Sequence, residues 1–179
     1  MASFTERMIG ASKLNAATYE EVEHDQSAMA QSAGVVVLSS LAAGIGSIAY
    51  AGVATGLLLG TLAALLGWLI WAFLTWLIGT KLLPEASTEA DIGQLMRTIG
   101  FASAPGILRV LGVIPALGGL IVLLCNIWML ATMIVAVRQA LDYSSTWRAV
   151  GVCLIGWVVL LVVQSAIIGL TGAPGAAST

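Results

Sequence analysis

Charge is what this sequence most lacks. Only 9% of its residues are Asp, Glu, Lys or Arg, against about a quarter in an ordinary soluble domain, and the 55-residue run from Gln26 to Thr80 holds no charged residue and no His. A helix rises 1.5 Å per residue and a bilayer core is about 30 Å thick, so this run is long enough for two crossings. Basic residues are equally sparse. Seven Lys and Arg, a net charge of −2 and no basic cluster exclude nucleic acid as a partner and strong attraction to anionic head groups. With one His, no Ser/His/Asp set can be assembled, and no Gly-rich phosphate loop follows a strand. Both cysteines, Cys125 and Cys153, lie in apolar text without a CxxC or a nearby His, so two free buried thiols are expected rather than a redox or metal motif. No enzyme, cofactor or metal site is expected. The first 25 residues carry Glu6, Arg7, Lys13 and several acids but no apolar h-region, so they read as a retained cytoplasmic segment rather than a secretory signal.

What the chain does have is long apolar text: 59% of its residues are hydrophobic. Spans are expected near 30–50, 56–79, 116–137 and 150–170, with a turn between Tyr50 and Thr55 and a disordered tail over 171–179. Lys81 to Arg97 is polar, and Thr88, three residues before Asp91, resembles a capping box. The segment 98–114 contains Pro105 and Arg109. Charge arbitrates its role, because cytoplasmic loops are enriched in Lys and Arg. Five crossings with an inward N-terminus put Arg7, Lys13, Lys81, Arg97, Arg138 and Arg148 on one side, whereas four crossings would strand Arg138 and Arg148 outside. The expected fold is therefore an all-α polytopic bundle of five transmembrane helices over residues 26–170. The third is short and kinked at Pro105, the N-terminus is cytoplasmic and the C-terminus lies outside. A re-entrant third segment is the alternative.

Gly52, Gly56, Gly60 and Ala64 form a stripe of small residues at four-residue spacing, expected to pack against the first span with its Ala42, Ala43, Gly44 and Gly46. Trp147 reads as an interfacial belt residue and Trp68 as packing. The only histidine, His24, follows Glu20 by one helical turn. Such a cluster could hold a cation, but a solvated acidic helix start, with Thr18 and Glu21 as a capping box, is the favoured reading. Arg109 is costly at membrane depth, by at least about 2.5–3.5 kcal/mol. It either contacts the bundle interior or a ligand, or snorkels to the outer interface, which is favoured. Asn126 and Gln164 are expected to hydrogen-bond between helices.

Tyr19-Glu-Glu-Val-Glu, Leu95-Met-Arg97-Thr-Ile-Gly-Phe-Ala-Ser-Ala-Pro105, Asn126-Ile-Trp128-Met and Val137-Arg138-Gln-Ala-Leu-Asp142 together resemble the bacterial branch of the Yip (Ypt-interacting protein) domain family. The Arg-Thr-x-Gly-Phe-Ala-x-Ala-Pro stretch is the most specific part. The resemblance covers about Tyr19 to Ile168 and implies a five-helix membrane domain with a cytoplasmic N-terminus. Eukaryotic members act in vesicle traffic and contact Rab-type GTPases. The long N-terminal region of those relatives is cut here to about 25 residues, which puts a GTPase partner in doubt. Arg97, Pro105, Arg138 and Asp142 enter as candidate interaction residues through these motifs.

Two functions fit. The first is a noncatalytic scaffold or accessory subunit in the cytoplasmic membrane of a bacterium, whose partners are the bilayer, other membrane proteins or itself. The alternative is a small-solute or ion transporter using the broken third helix, although a transporter usually shows paired ionisable groups or an internal repeat.

Overall fold

The computed structural model describes the backbone of residues 2–51, 55–114 and 116–171, and the side chains of these apart from 48–51, 55, 56, 164 and 167–171. Gly52, Pro115 and the tail from 172 onward lie outside the described residues, as does the side chain of Gln164, and Gly56 is described only in its backbone. The fold is all-α, with no strand among the described residues. Its helices are α1 (Phe4–Ser12), α2 (Ala16–His24), α3 (Ala28–Ala51), α4 (Thr55–Leu77), α5 (Ile92–Ala102), α6 (Gly118–Ala140) and α7 (Thr146–Thr171). A π-turn, Ile78–Leu82, prolongs α4, and a 3-10 segment, Ala104–Val113, follows α5.

Four helices among the described residues are long and apolar enough to cross a membrane: α3, α4 with its π-turn, α6 and α7. Their outer faces carry large apolar side chains in the open, such as Leu58 at 73% and Val162 at 63% exposure. Unbroken apolar surface of that kind is not sustained in water and requires lipid around it.

The stretch from Asp91 to Val113, between α4 and α6, is assembled differently. Asp91 caps α5, its carboxylate accepting from the Gln94 N–H while the Gln94 side chain returns a bond to the Asp91 N–H. Thr88 is not the cap: its hydroxyl instead accepts from the Glu85 N–H. The α-helix stops at Ala102, and Pro105, buried and lacking an N–H, sits in the first turn of the 3-10 segment, so the kink falls where the proline dictates. The Ala102 carbonyl left by this break accepts instead from the Thr132 hydroxyl of α6 at 2.7 Å. The ten 3-10 residues of this stretch wind more tightly than an α-helix and rise roughly 2.0 Å each against 1.5 Å.

This stretch runs alongside α3 in the same direction. The Ser32 hydroxyl donates to the Arg97 carbonyl at 2.8 Å, Ser39 meets Arg109, and Gly46 meets the backbone of Arg109 and Gly112. Ser32, Ser39 and Gly46 recur every seven residues and are all buried, so one face of α3 presents small groups over its length. The α4 stripe does not do this. Gly60 is exposed, with open space where a Cβ would stand, and only Ala64 is partly buried against the core. Among the described residues, α3 and α4 meet through Gly44 against Leu57 and Ser40 against Thr61. Of the expected stripe, Gly52 lies outside the described residues and Gly56 is described only in its backbone, so the described part comprises an open Gly60 and an Ala64 packed against the core.

Residues 2–25 also differ from expectation. They form two helices folded onto the bundle, not a solvated acidic face. Tyr19 and Val22 are fully buried beside Phe101, Ala102 and Ala136, and the Trp128 indole donates to the Ser12 carbonyl at 2.7 Å. Helix α2 is capped by Asn15 rather than Thr18, and the Glu21 carboxylate is occupied elsewhere.

Candidate functional site

Two buried charge centres lie at the end of the bundle where α2, α5 and the loops after α4 and α6 meet. In the first, Arg97 of α5, 7% exposed, aims its guanidinium at the C-terminal carbonyls of α2. Its Nε donates to Val22 and Glu23 at 3.1 and 3.0 Å, and Nη2 also donates to the Glu23 carbonyl. A cation there meets carbonyls that have no intrahelical donor and the negative end of a helix dipole. The Glu23 side chain, 1% exposed, accepts from Gln94 Nε2 at 3.1 Å through one oxygen. Its other oxygen has no donor. Burial, reinforced by the charges of Glu20 and Asp142, pushes the Glu23 carboxyl up to about 7.

In the second, Arg7 of α1 is 1% exposed and reaches Glu21 at 2.9 Å, Asp25 at 2.6 Å and the Gln31 amide at 2.9 Å. The Ser27 hydroxyl and Arg7 hold Asp25 down at about 2. The Ala2 N–H and Arg7 hold Glu21 below its ordinary value. This centre had no motif to announce it. Its members are separated in sequence by the turn at Leu14, whose φ of 61° reverses the chain and brings α2 back to α1.

At the same end, the loop after α4 is tied to the loop after α6. Glu85 accepts from the Ser144 N–H and hydroxyl at 2.9 and 2.7 Å and pairs with Arg148 at 3.2 Å. The Tyr143 hydroxyl donates to Gly79 and Leu83 at 3.0 and 2.8 Å, using carbonyls that the π-turn frees. Arg138 donates to the Tyr143 and Ser144 carbonyls and so holds its own following turn. Asp142, exposed and at φ 51°, makes the reversal and accepts Ser87 through its carbonyl. These two candidates shape a turn rather than form one site with Arg97.

Deeper in the bundle lies a cavity of about 770 Å³, lined by Ser39, Trp68, Trp71, Arg109, Asn126 and Met133 among others. The Arg109 guanidinium does not snorkel. It turns inward, donating to the Gly106 carbonyl at 3.1 Å and to the Ser39 carbonyl and hydroxyl at 3.2 and 2.9 Å. Asn126 is exposed on the cavity's edge, and the polar link across helices is made by Thr132 instead. Trp68 packs as expected, its indole donating to Met96 at 2.9 Å, while Trp147 stands 82% exposed at the start of α7. Cys125 and Cys153 are buried and free.

Long apolar helices with lipid-type outer faces, broken helical text only where neighbours satisfy it, and polar centres gathered at one end define an all-helical multi-pass membrane protein. The model of the Yip1 domain matches residues 15–167. The chain belongs to the Yip1 domain family. No match was found among curated proteins or among solved structures.

Proposed function

We propose that this protein is a noncatalytic scaffold or accessory subunit of the bacterial cytoplasmic membrane, crossing it five times with its N-terminus inside and its C-terminus outside. One observation carries the reading: the two arginines of the third pass are spent on backbone carbonyls and on Ser39, inside the molecule. A conduction or transport path ordinarily shows ionisable groups paired with one another at depth. Five crossings are supported by the parallel course of α3 and the third pass, and by Arg7, Arg97, Arg138 and Arg148 lying toward a common end. The exposed apolar faces are what the molecule offers to partners: lipid, another membrane protein or a second copy.

The transporter alternative rests on the cavity holding Arg109. Mass measurement of the protein in mild detergent, with identification of what accompanies it, separates the two. A stoichiometric membrane partner is the expected result. A bare protein that moves a solute in liposomes would replace the scaffold reading with transport. Ser144→Cys is expected to react only with a reagent supplied from the cytoplasmic side, and labelling from outside would refute the five-crossing topology.

A further inference from the structure

The strongest unexplained feature is the buried carboxylate oxygen of Glu23. Glu20, Glu23 and His24 lie on adjacent turns of α2, at i, i+3 and i+4, so all three side chains share one face. One ligand atom from each lies within 4.8 Å of the others. Acidic residues near a histidine are common on helices and by themselves mean little. Here, however, Glu23 is 1% exposed, Gln94 holds one of its oxygens at 3.1 Å, and the other is buried without any hydrogen-bond donor. Leaving such a group unpaired is unfavourable, and a cation set between the three side chains would complete it.

The histidine is arranged for the same purpose. Its Nδ1 lies 2.9 Å from the Glu20 carbonyl; a carbonyl only accepts, so Nδ1 carries a proton there, and Nε2 of the neutral ring is the nitrogen left to meet a metal. A ring fixed through one nitrogen by a backbone carbonyl, with the other free, is how metal-binding histidines are oriented. Gln94, from a different helix, orients Glu23 in the same manner.

We propose that Glu20, Glu23 and His24 bind a divalent transition-metal ion, with zinc(II) the best fit. Two carboxylates and an imidazole favour zinc over calcium or magnesium, which prefer all-oxygen sites. The three protein ligands leave a fourth position for water. This departs from the sequence expectation of a metal-free protein. The difference lies in burial: sequence shows three polar residues on a helix, but not that the middle one is sealed against α5. A bound ion would fasten the last turn of α2, which Gln94 and Arg97 of α5 already hold by hydrogen bonds, independently of any scaffold partner.

The test uses the full-length protein in detergent micelles, carrying no polyhistidine tag, with zinc(II) as the probe. Titration calorimetry is expected to show one zinc per chain, with weakening by about 10- to 100-fold in His24→Ala and in Glu20→Gln. Calcium at a hundredfold excess is expected not to compete. Both substituted side chains reach solvent, so circular dichroism without zinc should be unchanged. Should either variant fail to fold, the wild-type protein still reads the site, because zinc should shield His24 from acylation by diethyl pyrocarbonate. No saturable one-to-one binding, equal binding by the two variants, effective competition by calcium, or acylation indifferent to zinc would each overturn the proposal.

Discussion

The seam between α3 and the stretch from α5 to Val113 and the exposed face of α4 at Gly60 are both built from small and apolar residues, yet they do opposite things. Along the seam, Ser32, Ser39 and Gly46 admit a neighbouring backbone, and the contacts made are polar: hydroxyl to carbonyl, guanidinium to carbonyl, backbone against backbone. On α4, Gly60 faces open space beside the exposed Leu59 and Leu62. In lipid the hydrophobic effect does not distinguish a neighbour helix from an acyl chain, so apolar area contributes little to helix association. Close packing and hydrogen bonds decide it. A small residue therefore stabilises the bundle only where a backbone actually approaches it.

The largest effect that would test this contrast comes from the glycines. A Cβ at Gly46 would overlap the Arg109 carbonyl oxygen, which belongs to backbone and cannot rotate away. Gly46→Leu is expected to destabilise by about 3 kcal/mol or more, seen as loss of the monodisperse peak in detergent. Gly60→Leu should lie within about 0.5 kcal/mol of the parent. Equal effects would break the comparison. Next comes Arg97→Leu, which strips the α2 carbonyls of charged donors and is expected to cost roughly 2–3 kcal/mol, with α1 and α2 becoming sensitive to protease while the lipid-embedded helices stay protected. Smallest is a pH effect at the loop tie. The Ser144 hydroxyl and N–H hold Glu85 below its ordinary 4.5, so the unfolded chain binds the proton more readily. Stability from this bond is complete above about 4.5 and declines as pH falls through the depressed value. Thermal unfolding between about pH 5 and pH 3 should show a slope that Glu85→Gln flattens.

Much of the fold was legible because its signals are local. The absence of charge from Gln26 to Thr80 is enough for membrane insertion, and Pro105 places the end of α5 whatever surrounds it. The buried charge centres were not legible. Arg7 and Glu21 are 14 residues apart and Arg97 and Glu23 74 apart, and nothing near either arginine in sequence says which partner it will meet. Reading Thr18 and Glu21 as a cap failed for a related reason: Asn15 was the stronger competitor, and Arg7 claimed the glutamate. Arg109 illustrates the same limit. Its nearness to the outer end in sequence suggested snorkelling, but Ser39 on α3 supplied two acceptors, at 3.2 and 2.9 Å.

Composition and the spacing of its few charges sufficed to make this chain an all-helical membrane protein, since the preference of apolar side chains for lipid and the need of backbone amides for internal partners act on each segment alone. Which faces touch, where Arg97 and Arg109 spend their donors and how Glu23 becomes sealed depended on the packed whole. Those outcomes are settled by hydrogen bonds between groups remote in sequence, and such bonds exist only once the helices have met.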